Sequence, residues 1–440
     1  MRAGTLGFVL IGALLSSGFA EAAKMSVIHR FAGGNDGCAP RGVSRSADGT
    51  IFGATSSDND TSGNTIFELQ KNKNGSLVFK TIFNFSEAKM KYYGLNPRVP
   101  VIDKDGILYG ATARGGLYDG GIVYTLTPST TSSTGWAFKA LHHFNPTKEA
   151  ANPGGSPDPE GYYPTKGGIL IDAKGNVYGT TERIPSFESD NFGEVFKLTK
   201  PSSASGIWVK SVLHQFTRAT VTDGYGAATG LIFDSAGDIF GTTDIGGALS
   251  NCGIPGDGCG VIFRLEKPSV SGGAWAYSVI HVFLSSHNAS RDGAKPVGSL
   301  VRSSTGSIYG VTTVGREQVI PDASGEVFKI DSPTSAIPVY GPASDLRRSI
   351  GYLPRGGLAQ DSVGNLYGTM SYGGAYGKGT LYKLTKTMDS NNIIVWKKQR
   401  LYSFKSQPIG NIALGDSGEI YGAVNDVASS NCGAIYRWTP

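Results

Sequence analysis

Short apolar segments bounded by glycine recur along the chain, and their polar and apolar positions alternate with the period of a half-buried strand. The pattern Gly-x-[Ile/Leu/Val]-[Tyr/Phe]-Gly appears as Gly49-Thr-Ile-Phe-Gly53, Gly106-Ile-Leu-Tyr-Gly110, Gly175-Asn-Val-Tyr-Gly179 and Gly237-Asp-Ile-Phe-Gly241. It returns as Gly306-Ser-Ile-Tyr-Gly310, Gly364-Asn-Leu-Tyr-Gly368 and Gly418-Glu-Ile-Tyr-Gly422, with 54 to 69 residues between successive aromatics. A further strand precedes each copy, as in Gly168-Ile-Leu-Ile-Asp172 and Gly230-Leu-Ile-Phe-Asp234, joined to it by an Asp-x-x-Gly turn. Glycine supplies the positive φ such a turn needs. A third, alternating strand follows, as in Val195-Phe-Lys-Leu198 and Ile262-Phe-Arg-Leu265, with a charged residue facing water. The fourth reads Leu141-His-His-Phe144, Leu213-His-Gln-Phe216 and Ile280-His-Val-Phe283. Weaker copies are Ile82-Phe-Asn-Phe85 and Leu401-Tyr-Ser-Phe404, and Ile337-Pro-Val-Tyr340 is the degraded one.

Seven units of four antiparallel strands, with no helical periodicity, predict an all-β fold: a seven-bladed β-propeller of four-stranded antiparallel blades. A solenoid would need capping units and a shorter period. The chain opens on a fourth-strand copy, Val27-Ile-His-Arg-Phe31, and ends on a third strand, Ile435-Tyr-Arg-Trp438, with nothing after it. Residues 26–31 are therefore expected to complete blade seven, formed otherwise by 410–438, within a single domain spanning 23–440.

Arg2, the apolar run Leu6 to Leu15 and the Ala20-x-Ala22 site read as a signal peptide over 1–22. The run is too short to span a bilayer. Secretion or a periplasmic location follows, with no membrane span. The net charge of +5 comes from scattered Lys and Arg, which excludes the basic stripe of a nucleic-acid protein. Export also invites disulfides among Cys38, Cys252, Cys259 and Cys432. Pairing of the first strand with the last brings Cys38 to Cys432, leaving Cys252 with Cys259.

The composite of Gly168 to Thr181 with Gly193 to Thr199, and of Gly357 to Thr369 with Gly379 to Thr385, resembles the tandem repeat of the choice-of-anchor GloVer-containing proteins. The resemblance covers almost all of the mature chain and implies repeated β-structure. It implies no catalytic residues. Members typically carry a C-terminal surface anchor; the ending Tyr436-Arg437-Trp438-Thr439-Pro440 shows no apolar tail, so a released or periplasmic protein is expected. Met370 and Ala423-Val424 mark diverged copies.

His29, His142, His214 and His281 share one slot of the fourth strand and read as packing residues, as does the aromatic of each Tyr-Gly motif. Function is expected in the loops of one face. Loops entering the first strand of each unit carry Asp36-Gly37, Glu160-Gly161, Asp223-Gly224 and Asp292-Gly293, and tyrosines follow in several. Such Asp-Gly pairs also make turns without any ligand. Carboxylates beside tyrosines can bind sugar hydroxyls and stack on sugar rings. The ligand-binding candidates are Glu160, Tyr162, Tyr163, Asp223, Tyr225, Asp292 and Tyr352, the first three on the irregular loop Asn145 to Lys166. The leading expectation is a monomeric, non-catalytic recognition or scaffold propeller that binds a glycan or an extracellular protein. The alternatives are a polysaccharide lyase or hydrolase using Tyr162, Tyr225, His287 and Arg291, and a structural envelope component. No metal site or cofactor is expected. The nearest run to a calcium loop, Asp58-Asn59-Asp60, lacks the Asp-x-Asp-x-Asp-Gly spacing.

Overall fold

The computed structural model describes residues 23–56, 63–86, 89–145, 163–164, 168–182, 192–203, 205–217, 223–227, 230–247, 258–270, 272–284, 293–314, 325–331, 350–391, 394–425 and 432–440, and the backbone of 339–345. The expected signal peptide and the degraded Ile337-Pro338 pair lie outside them. Strand dominates the described residues, with helical turns at Gly34–Asp36 and Met90–Tyr93. No helix among the described residues is long and apolar enough to cross a membrane.

The architecture is β-propeller-like. Each sequence repeat is one antiparallel meander, and repeats two to six each form a separate sheet. Repeats seven and one share an eight-stranded sheet, linked by the parallel pair Gly42–Asn411. Its outermost strand is the first of the chain: Lys24–Arg30 pairs antiparallel with the last, Ala434–Thr439. Cys38 and Cys432 are disulfide-bonded beside this pairing, as expected. Cys259 is also disulfide-bonded; its expected partner, Cys252, lies outside the described residues.

The Asp-x-x-Gly turns form as the sequence implies. The carboxylates of Asp103, Asp172, Asp234 and Asp361 each accept amides two and four residues onward.

Buried clusters draw on successive repeats. Phe52 and Phe85 meet Leu108 and Tyr124, and Tyr109 and Phe144 meet Val177 and Phe196. Leu381 and Phe404 of repeat six likewise meet Ile420 and Trp438 of repeat seven. Tyr421 and Ile435 of repeat seven in turn meet Ile51 and Phe67 of repeat one.

One device lets a fourth strand serve two interfaces. In every repeat its register slips by one residue, at Ile28, Ile82, Leu141, Leu213, Ile280, Ala343 and Leu401. Such a bulge moves the following residues to the opposite face of the sheet. Tyr277 therefore packs back on repeat three, while Ile280 and Phe283 pack forward on repeat five. Trp136 and Phe138 pack back on repeat one, and Leu141 and Phe144 forward on repeat three. The Leu-His-x-Phe signature is thus a bulge signature.

The register corrects one strand. In repeat five the fourth strand is Val339–Asp345, six residues later than expected, and Ser344 opposes Val327 as His214 opposes Val195. Tyr340 is therefore not the terminal anchor of the motif. The strand carries Pro342 at the sheet edge, where a missing amide costs no ladder bond.

First strands are broken at mid-length between Pro97 and Val101, Ala227 and Ile232, and Pro354 and Ala359, and in repeats one, five and seven they run on but slip register between Pro40 and Val43, Val297 and Val301, and Ile409 and Ala413. At these interruptions neighbouring repeats touch backbone to backbone. A Cβ on Gly298 would lie 2.2 Å from the Gly357 amide nitrogen, and one on Gly410 would lie 2.0 Å from the Arg41 carbonyl oxygen. Asn411 ties this collar together: its Oδ1 accepts the Gly357 amide at 2.9 Å, and its Nδ2 donates to Ser299 Oγ at 2.8 Å.

Candidate functional site

The Asp-Gly entry loops are held by the histidine slot. His29 Nε2 lies 2.9 Å from Asp36 Oδ1, and the Ala32 amide donates to Asp36 Oδ2 at 2.7 Å. Repeat three closes the same clip between His214 and Asp223 at 3.4 Å, with the Thr217 amide donating to Asp223 Oδ2 at 3.0 Å. Each histidine also stacks on an aromatic of the following repeat, His29 on Phe79 at 3.5 Å and His214 on Tyr277 at 3.6 Å between ring centroids. Burial pushes the Asp223 carboxyl up, but His214, the Thr217 amide and Tyr277 outweigh it and leave it below the ordinary carboxylate value. Burial, reinforced by the Asp223 charge, holds the Tyr277 phenol far above its ordinary value. These pairs fasten a loop to the end of the preceding strand.

Beyond the clip, the chain takes a left-handed turn at the residue before the first strand's proline. Ala39, Asn96, Tyr163, Lys295 and Leu353 all have φ between 53° and 59°, directly before Pro40, Pro97, Pro164, Pro296 and Pro354. A side chain in that region costs about 1–2 kcal/mol, and proline also excludes right-handed helix for its predecessor. The turn aims the amide at the preceding repeat: Ala39 donates to the Cys432 carbonyl at 2.8 Å, and Lys295 to the Cys259 carbonyl at 2.9 Å. The five side chains are left half-exposed, each of different chemistry on the same backbone.

The loop between second and third strands meets this entry loop within a repeat. A Cβ on Gly115, Gly246 or Gly373 would lie 2.6 to 2.8 Å from the backbone of Gly94, Asp223 or Gly351. In repeat six the junction is aromatic and basic. Tyr352 stacks on Tyr372 with ring centroids 5.3 Å apart and planes 13° apart. Lys405 Nζ sits 5.3 Å from the ring of Tyr376, which is 56% exposed. Residues 350–354, 372–379 and 403–407 contain no carboxylate. Tyr118 occupies the matching loop of repeat two and is also exposed.

The sequence profile of the Gloeobacter/Verrucomicrobia repeat matches residues 17–254 and 157–362. The chain belongs to this repeat family. Among curated proteins none matches it significantly. Solved structures of similar shape include the polysaccharide lyase Uly1, at 11% identity and a TM-score of 0.46 over 91% of this chain and 89% of that one. A glucose dehydrogenase is 15% identical with a TM-score of 0.44, over 78% of this chain and 96% of that one. The PQQ-bound aldose sugar dehydrogenase of Streptomyces coelicolor is 11% identical with a TM-score of 0.43, over 94% and 98% of the two chains.

Within this Gloeobacter/Verrucomicrobia repeat chain, Tyr352 opens the strand Tyr352–Pro354 and Tyr163 lies half-exposed directly before Pro164. Asp223 and Tyr225 do not face a mouth. Asp223 is spent in the His214 clip, and Tyr225 is 3% exposed, its ring 5.1 Å from Phe192 in the core between repeats three and four. The reason is the alternation after Asp-Gly, which turns this tyrosine inward. Glu160, Tyr162, His287, Arg291 and Asp292 lie outside the described residues, as does Asp58-Asn59-Asp60. Among the described residues no three metal-ligating side chains cluster. The sequence reading missed Asn96, Lys295 and Leu353, whose signal is the residue before the recurring proline. It also missed Tyr372 and Tyr376, whose signal is the Gly-Gly loop that follows the second strand.

Proposed function

We propose that the protein is an exported, closed seven-bladed β-propeller that binds carbohydrate on its loop-bearing end as a monomer and does not turn it over. Closure is supported by the pairing of Lys24–Arg30 with Ala434–Thr439 and by the apolar cluster that joins repeats seven and one. The export reading from residues 1–22 agrees with a disulfide-bonded chain. The observation that carries the binding site is the stacked Tyr352–Tyr372 pair beside exposed Tyr376 and Lys405. Aromatic faces bury the C–H surface of a sugar, and neighbouring hydroxyl and ammonium groups bond its oxygens. The binding reading is favoured over acid–base chemistry because His29–Asp36 and His214–Asp223, two pairings of the right type, are engaged in fastening loops. Tyr163, half-exposed at the entry of repeat three, is a further candidate on the loop-bearing end.

A glycan array probed with residues 23–440 tests this reading. Binding should occur, and a Tyr352→Ala, Tyr376→Ala double variant should weaken it at least tenfold with an unchanged melting curve. Undiminished binding by that variant, or product release from any bound polymer, would refute the assignment.

A further inference from the structure

The opposite end of the first strands carries a second feature. An open depression of about 470 Å³ is lined by Leu170, Ile232, Phe233, Leu300, Val301, Arg302 and Gln360. These residues come from the first strands of repeats three, four, five and six, between the mid-strand break and the Asp-x-x-Gly turn. The depression is therefore separated from the loop-bearing end by the collar at Gly298, Gly357 and Asn411.

Its lining is five apolar side chains, one guanidinium and one carboxamide, with no acid. The repeats allow these lining positions to be compared. The position directly before the turn is Ile171, Phe233, Arg302 and Gln360 in repeats three to six, and Arg45 in repeat one. Arg45 is ion-paired with Asp416 of repeat seven. Arg302 has no carboxylate partner among the described residues. Of the turn carboxylates around it, Asp172 and Asp361 each accept two backbone amides, an Asn amide and a Tyr hydroxyl, while Asp234, directly after Phe233, is buried with its Oδ1 on two backbone amides and forms no ion pair with Arg302. A cation left unpaired beside an apolar wall attracts an anion that brings its own apolar body.

We infer that this depression is a binding site for a small amphiphilic carboxylate. The carboxylate pairs with the Arg302 guanidinium, the second Gln360 Nε2 hydrogen (the first is donated to the Gly364 carbonyl at 3.4 Å) adds a hydrogen bond, and the apolar body lies against Ile232, Phe233 and Leu300. The volume falls within the range of about 300–1,000 Å³ usual for small-molecule sites. The site is independent of the carbohydrate reading, because the collar divides the two ends.

Calorimetric titration of residues 23–440 with decanoate, and with decanol as a neutral control, tests the inference. Decanoate should bind with one-to-one stoichiometry and decanol at least tenfold more weakly. Arg302→Ala should weaken decanoate at least tenfold and leave decanol unchanged, while Tyr376→Ala should change neither. Arg302→Lys should recover part of the loss. Arg302 is exposed at the end of its strand, so these variants should keep the parent melting curve. Equal affinity for acid and alcohol, no decanoate binding, or binding indifferent to Arg302 would each overturn the proposal.

Discussion

Single side chains around the Asp-x-x-Gly turns show what each repeat gains or forgoes. In repeats three and six the turn aspartate accepts a tyrosine hydroxyl, Tyr178 to Asp172 at 3.1 Å and Tyr367 to Asp361 at 3.0 Å. Repeat four keeps the acid and loses the phenol: Asp234 Oδ2 is buried without a partner, and the tyrosine is Phe240. Repeat five does the reverse, with Tyr309 buried, its hydroxyl unpaired and the acid replaced by Ser303. Phe240→Tyr and Ser303→Asp should therefore each raise stability by about 1 kcal/mol, the usual net worth of such a bond. Urea denaturation should show a higher midpoint at unchanged slope. The Asp223 clip makes a second prediction. Its carboxyl titrates below the ordinary value in the folded protein, so the stabilisation is complete above the unfolded value near pH 4. It is lost as pH falls through the depressed folded value, where the native state must take up a proton. Thermal melts should show the parent losing more stability than Asp223→Asn between about pH 5 and pH 2.

At the scale of elements, the bulge in every fourth strand decides which neighbour each side chain meets. Phe283→Ala should empty the place against repeat five that the bulge at Ile280 gives this ring. Since Phe283 is fully buried, the loss should match a core Phe truncation, about 3–5 kcal/mol, read from denaturant midpoints. Strands one to three were legible in the sequence because a constant period of two runs through them. The fourth was legible as a motif but not as a shape, because a change of face leaves no trace in alternation alone. Repeat five was misplaced by six residues for a related reason. Its strand reads Ala343-Ser344-Asp345, without the large apolar and aromatic residues that mark the other copies. The loops were half legible. Asp-Gly pairs are visible as repeats, but a linear pattern does not tell whether Asp223 faces solvent or the histidine nine positions before it. Tyr372 and Tyr376 went unnoticed because the residues that expose them are glycines of a turn, which carry no chemistry of their own.

For the whole molecule, the proposed ring rests on two different kinds of link between its ends, and they can be separated. The disulfide spans 394 residues, and in loop-entropy terms a closure that long restrains the unfolded chain by more than the ~4.7 kcal/mol estimated for 100 residues. The first strand contributes contacts: Ile28 and Phe31 pack with Phe67 and Ile435, and the ladder to Ala434–Thr439 covers an edge. A Cys38→Ser, Cys432→Ser variant should therefore melt earlier, yet remain folded and monomeric, with the amides of Ala434–Thr439 still protected from hydrogen exchange. Deleting residues 23–31 should do something else. The uncovered strand would present unpaired backbone groups to other molecules, so those of its amides that had pointed at the first strand should exchange freely at low concentration, while those bonded to Ile420–Asn425 stay protected, and the protein should associate as concentration rises. If both variants behaved alike, the strand would be a passenger of the disulfide, and the ring would owe its closure to the covalent bond alone.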